Sequence, residues 1–277
     1  MQEIANMLLM WTSKFWDSIV GTAFDVIKMD IKETEMWNTI YYLAGPEGKI
    51  TGVAVILLTI LILIGWCAES TDIKRDFSMD SIFRLFIRIM LAEFVVVNNL
   101  NIFVWVYDIA SGIADFVSVT EVGKIFSKDG FVEIMNLDGF FIPLLMFFLS
   151  IIFFFIVVGS GFMLLYEAYL RIIKTCLMIP LGALTWATIG SGTNNVSRVG
   201  IDYVKYAVAT MLEMFMMIFT IKITNVFFNG GVQVFGSLDG ASDYIIALAY
   251  MSMAAFQAVA TVSLVKEGKN VLHRIFN

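Results

Sequence analysis

The chain has 277 residues, of which 59% are hydrophobic and 15% charged, with a formal net charge of −6. Ordinary soluble domains are about 45–50% apolar and about 25% charged, so this composition excludes a fold solvated by water alone. The acidic balance and the lack of clustered Lys and Arg exclude a basic phosphate-binding surface, and no direct sequence-specific nucleic-acid binding is expected.

Residues 1–29 read as one amphipathic helix, with Leu8, Trp11, Phe15, Ile19, Ala23 and Val26 on one stripe and Ser13, Lys14, Asp17, Gly21, Asp25 and Lys28 opposite. Such a face lies either in the membrane interface or on a partner's groove. Glu3, Lys14 and Asp17 exclude a signal peptide. A charged stretch, Asp30 to Glu35, and a turn at Gly45-Pro46-Glu47-Gly48 complete an N-terminal region, 1–48, expected outside the cell membrane, and residues 49–277 form a transmembrane helical domain.

Roughly 20 apolar residues span the hydrocarbon as a helix. Spans are expected over about 50–68, 82–107, 139–166, 203–222 and 244–265. The second carries Arg84 and Arg88, placed one turn apart to snorkel to headgroups, and Glu93, Asn98, Asn99 and Asn101, which are costly in lipid. Residues 108–138 read as an amphipathic helical loop outside the membrane, and the third span is expected to bend at Gly159-Ser160-Gly161. The run 175–190, interrupted by Pro180 and Gly182, is short for a span. Lys and Arg on both of its flanks place it as a re-entrant segment, with a six-span chain as the other solution. The basic tail, with Lys266, Lys269 and Arg274, then lies in the cytoplasm and the N-terminus outside. The fold class is all-α and polytopic, about five spans plus a re-entrant segment and an amphipathic N-terminal helix.

On the fourth span Asp202, Lys205, Glu213 and Thr220 fall on one side of the helix, and Glu213 stands mid-membrane. An isolated carboxylate there costs about 2.5 kcal/mol or more, so Glu213 must face protein or a water-filled cavity. A pore or subunit contact and a structural pairing with a neighbouring helix both satisfy this. Ala247, Ala254, Ala258 and Thr261 form a small-residue stripe that lets another helix approach, within the chain or across an oligomer. Met211, Met214, Met216 and Met217 are soft packing material. His273, the single histidine, reads as a solvated tail residue around which neither a metal site nor a Ser-His pair can form. No cofactor, metal or enzymatic activity is expected. The chain has no Walker-type loop, so any nucleotide energy must come from a partner.

Arg171 and Lys174 enter an apolar segment broken by Pro180-Leu181-Gly182 and followed by the polar loop Gly190-Ser191-Gly192-Thr193. With an outside N-terminal helix, about five spans and a short basic tail, this resembles the TrbL-type inner-membrane channel subunits of type IV secretion and conjugation systems, over nearly the whole chain. The resemblance implies a homo-oligomeric platform in the bacterial inner membrane, assembled with other membrane subunits and a cytoplasmic ATPase. The alternative is a small-molecule or ion transporter with a midplane site around Glu213.

Overall fold

The computed structural model describes residues 2–70, 79–118, 141–190, 194–229 and 242–276. These residues contain no strand. They form α1 (Gln2–Lys28), a 3-10 turn (Ile31–Glu33), α2 (Glu35–Ala44), α3 (Lys49–Ser70), α4 (Met79–Val97), α5 (Asn99–Ser118), α6 (Phe141–Ile189), α7 (Asn194–Asn229) and α8 (Asp243–Phe276). Five segments are long and apolar enough to cross a membrane: Glu35–Cys67, Asn99–Val117, Phe141–Ile189, Val196–Phe228 and Tyr244–Phe276. The chain is an all-helical, multi-pass membrane protein.

Two boundaries differ from those expected. The segment expected at 82–107 is two helices that meet at Asn98, where the Asn98 amide donates to the Phe94 carbonyl at 2.9 Å. Backbone bonds from Asn98 to Phe94 and from Ile102 to Asn98, both 3.0 Å, carry the chain through this junction. A side chain that competes for a helix carbonyl bends the ladder. The apolar length that can span is therefore Asn99–Val117, so 108–118, expected in a separate amphipathic helical loop, continue the helix α5. Residues 119–140, which hold the rest of that expected loop, lie outside the described residues.

The second difference is α6. The segment 175–190, expected as a separate re-entrant element, continues the third span in one helix of 49 residues that runs through Pro180. At about 1.5 Å per residue this helix is more than twice as long as the roughly 30 Å of hydrocarbon. Proline withholds one N–H from the ladder. Beside it, Asn99 Nδ2 donates to the Ile179 carbonyl at 2.8 Å and the Tyr203 hydroxyl donates to the Met178 carbonyl. A Cβ on Gly182 would stand 2.5 Å from Phe103 Cε2 and 2.6 Å from Asn99 Oδ1, so glycine is what lets α5 come this close. Pro180 and Gly182 thus make a docking point for α5 and α7, and they do not reverse the chain.

The chain divides into two compact units. One comprises Met1–Lys28, Ala114–Leu170 and Phe215–Val271. In it, α1 buries Ala5, Leu9, Thr12, Trp16, Ile19, Ala23 and Val26. Phe15 meets Phe162 of α6 edge-on at 5.7 Å, and a Cβ on Gly161 would meet Ile19 Cγ2 at 3.2 Å. The buried stripe is rotated from the expected one by about a residue, because small residues of α1 and α6 set the contact, and Trp11 is left 58% exposed. Lys28 pairs with Asp115 at 3.6 Å at the surface.

The other unit comprises Met29–Ile113, Arg171–Met214 and Leu272–Asn277. Its core gathers Ala54 and Leu58 of α3, Val96 of α4, and Ala183 and Ala187 of α6. Small side chains dominate here, as helix packing without a hydrophobic drive requires. Tyr107 of α5 donates to the Met29 carbonyl at 2.8 Å, and Lys32 Nζ bonds Asp108 at 2.9 Å. That hydrogen bond to Asp108 holds the Lys32 ammonium above the ordinary lysine range.

Candidate functional site

Glu213 of α7 is fully buried among Met211, Met214 and Ala209. Helical spacing fixes this: an uncharged apolar run on either side turns the residue inward with the methionines. Its Oε1 lies 2.8 Å from Nε2 of His273, which α8 supplies from its last turn, and 4.0 Å from Nζ of Lys174 on α6. The imidazole stacks on Tyr206, two turns before Glu213 on α7, with ring centroids 4.8 Å apart and an interplanar angle of 27°. Its Nδ1 is buried with no hydrogen-bond partner among the described residues. Three helices therefore converge on one carboxylate. A protonated imidazole makes this contact an ion pair, and a neutral one makes it a charge-assisted hydrogen bond. Chemically the set can keep a carboxylate out of hydrocarbon, and it can pass a proton between Glu213 Oε1 and His273 Nε2.

A second buried carboxylate lies in the other unit. Glu167 of α6 takes a hydrogen bond at 2.8 Å from Lys269 of α8, with both side chains less than a tenth exposed. Lys266, half exposed, stands 4.0 Å from the other oxygen. Beside Lys269 on α8, a Cβ on Gly268 would meet Thr220 Oγ1 of α7 at 3.2 Å.

Comparisons with protein-family models, with curated proteins and with solved structures return no match to this chain.

Of the four residues expected to act together on α7, the structure groups them in three places. Glu213 is in the buried set just described. Asp202 and Lys205 are exposed and pair with each other at 3.9 Å, and Arg198 Nε stands 3.9 Å from the other Asp202 oxygen. Thr220 lies in the unit that holds Gly268, and its carbonyl accepts from the Thr224 hydroxyl at 2.7 Å. The stripe Ala247, Ala254, Ala258 and Thr261 is buried inside the chain, each residue 5% exposed or less. Met211, Met214 and Met217 are buried as well, with Met216 half-buried.

The sequence reading missed His273, Glu167 and Lys269. His273 was expected in solvent, and the structure places it against Glu213 and Tyr206. The signal was present: Lys266, Lys269 and His273 recur at i, i+3 and i+7, the spacing of a helix face that packs. Glu167 is the acidic residue in the otherwise uncharged stretch before Arg171. Arg171 is itself fully buried, with its guanidinium facing Tyr107. Among the described residues, no three His, Cys, Asp or Glu side chains are grouped to hold a metal.

Proposed function

We propose that this protein is a non-enzymatic channel or scaffold subunit of a membrane-embedded secretion apparatus of the conjugative, type IV kind. It forms a homo-oligomeric platform in the bacterial inner membrane, with its N-terminus outside and its C-terminus in the cytoplasm. Its partners are the other membrane subunits of the apparatus and a cytoplasmic ATPase that supplies the energy. The observation that carries this reading is that the buried carboxylates are met by basic side chains of the same chain, Glu213 by His273 and Lys174 and Glu167 by Lys269. Charges closed in this way fasten helices to one another, which suits a scaffold. A carrier needs its charged groups available to a passing substrate. The arrangement of Arg171, Lys174, Pro180-Leu181-Gly182 and the polar loop after it supports the TrbL-type assignment.

One observation favours a transporter: Glu213, His273 and Lys174 together could carry a proton, and a site around Glu213 could couple proton movement to a small solute. The mass of the gently solubilised complex, with identification of what co-purifies, separates the two. A large assembly containing an ATPase and other membrane subunits is expected. A clean monomer or dimer overturns the scaffold reading in favour of the carrier.

A further inference from the structure

Asn225 and Gln257 are amides in otherwise apolar stretches of α7 and α8, and an amide in such surroundings needs hydrogen-bond partners. Both are buried, 4% and 3% exposed. Among the described residues, Nδ2 and Oδ1 of Asn225 and Nε2 of Gln257 have no partner. The same holds for the indole N–H of Trp16 on α1, whose side chain is 1% exposed.

Helical rise puts these groups at one level of their unit. Helices α1, α6 and α8 leave the unit at Lys28, Leu170 and Val271, and α7 enters it at Phe215. Counted from those points at about 1.5 Å per residue, Ile19 and Gly161 both stand about 14 Å in, and they abut. Phe228 and Phe256 stand about 20 and about 23 Å in, and their rings meet edge-on at 5.9 Å. Glu167 and Lys269, both within about 5 Å of that end, are hydrogen-bonded. The four helices therefore run side by side in register. On this scale Asn225 lies at about 15 Å, Trp16 at about 18 Å and Gln257 at about 21 Å. The outward faces here are apolar: Phe155 and Phe162 of α6, Val226 of α7 and Phe256 of α8 are each more than half exposed. Such a surface belongs in lipid, which offers the amides no partner.

The mixture of hydrogen-bonding roles decides what joins them. Trp16, Asn225 Nδ2 and Gln257 Nε2 bring N–H donors, and Asn225 Oδ1 is an acceptor. Ser160, Thr224 and Thr261, at the same level, donate their hydroxyl protons to the carbonyls of Ile156, Thr220 and Gln257 and keep only lone pairs for any further bond. A cation would be repelled by the N–H groups and an anion by the lone pairs. A neutral molecule that both donates and accepts satisfies all of them. Water is the smallest such molecule, and internal water typically makes about three bonds to buried polar groups.

We infer that α1, α6, α7 and α8 enclose a site for ordered water, which bridges Asn225, Gln257 and the Trp16 indole and so ties α1 to the spanning helices. The site does not depend on the secretion reading, since it needs only that this unit lies in lipid.

The test exposes the purified full-length protein in neutral detergent to a brief X-ray pulse and reads the residues oxidised by hydroxyl radicals with peptide mass spectrometry. Bound water yields radicals beside the groups it touches, so Trp16 should be oxidised although it is buried. Met146 of α6, an easily oxidised side chain that is 2% exposed and lies about 36 Å from the same end, is the dry reference and should stay unmodified. Asn225→Leu combined with Gln257→Leu removes both amides and should abolish oxidation of Trp16, with circular dichroism checking that the helices remain. Trp16 as unreactive as Met146, or Trp16 oxidation that survives the double variant, overturns the inference. Oxidation of Met146 along with Trp16 also overturns it, because the whole unit would then be open to solvent. If the double variant does not fold, the contrast between Trp16 and Met146 in the unaltered protein decides alone.

Discussion

Removing His273 should expose what the buried carboxylate costs. In His273→Leu, Glu213 stays fully buried and loses its 2.8 Å partner, keeping Lys174 at 4.0 Å. Breaking one partner from a buried pair costs about 3–5 kcal/mol, and the remaining ammonium places this variant near about 3. Replacing both residues, Glu213→Leu with His273→Leu, removes the charge along with its partner. Apolar replacement of a whole pair is commonly neutral, so the double variant should return to within about 1 kcal/mol of the parent. Glu213→Leu alone leaves no buried carboxylate behind and should cost about 1 kcal/mol or less, so the two residues would couple by at least about 2 kcal/mol, well above the roughly 0.6 kcal/mol average for hydrogen bonds between membrane helices. Denaturant unfolding in mixed micelles, run on the parent, both single variants and the double, closes the cycle. A coupling at or below about 0.6 kcal/mol would refute the reasoning, because Glu213 would then be an ordinary hydrogen-bonding group with no charge to compensate.

Three further outcomes follow from the packing. Lys269→Leu should destabilise by about 3 kcal/mol in the same assay, since it strips Glu167 of its direct donor, and Lys266→Ala, half exposed, should change stability by less than about 1. Gly182→Ala should cost about 1–3 kcal/mol because its Cβ meets Phe103 and Asn99, but Gly21→Ala, with open space around it, should gain up to about 1 through helix propensity. For topology, cysteine labelling should mark position 128 from outside and position 274 from inside. Arg274 serves because it is exposed and Lys269 is buried, and the reverse pattern would invert the proposed orientation.

Composition and long apolar runs made the helical, multi-pass class legible, because hydrocarbon leaves no other way to satisfy the backbone of such segments. The run at 244–265 falls inside the structure's last spanning segment, Tyr244–Phe276, and the run at 50–68 overlaps the first, Glu35–Cys67, to within one residue. Boundaries set by single polar residues were less legible. Asn98 was visible as a polar residue in an apolar run, but whether its amide bonds its own helix or a partner depends on geometry. Pro180 looked like a break, but α6 runs on through it, and the side chains that dock on the carbonyls beside it, Asn99 and Tyr203, are both distant in sequence. The burial of Glu213 followed from the cost of a charge in lipid. The identity of its partner did not, since His273 lies 60 positions away and its surroundings in sequence are basic and polar.

The pairing also orders the events of synthesis. Helix α7 leaves the ribosome and meets the bilayer before α8 exists, so Glu213 enters with Lys174 already made and His273 still to come. An acidic residue at the centre of a helix adds roughly 2.5–3.5 kcal/mol to the work of insertion at that moment. The final turn of α8, which carries His273, is the last part of this set to be made.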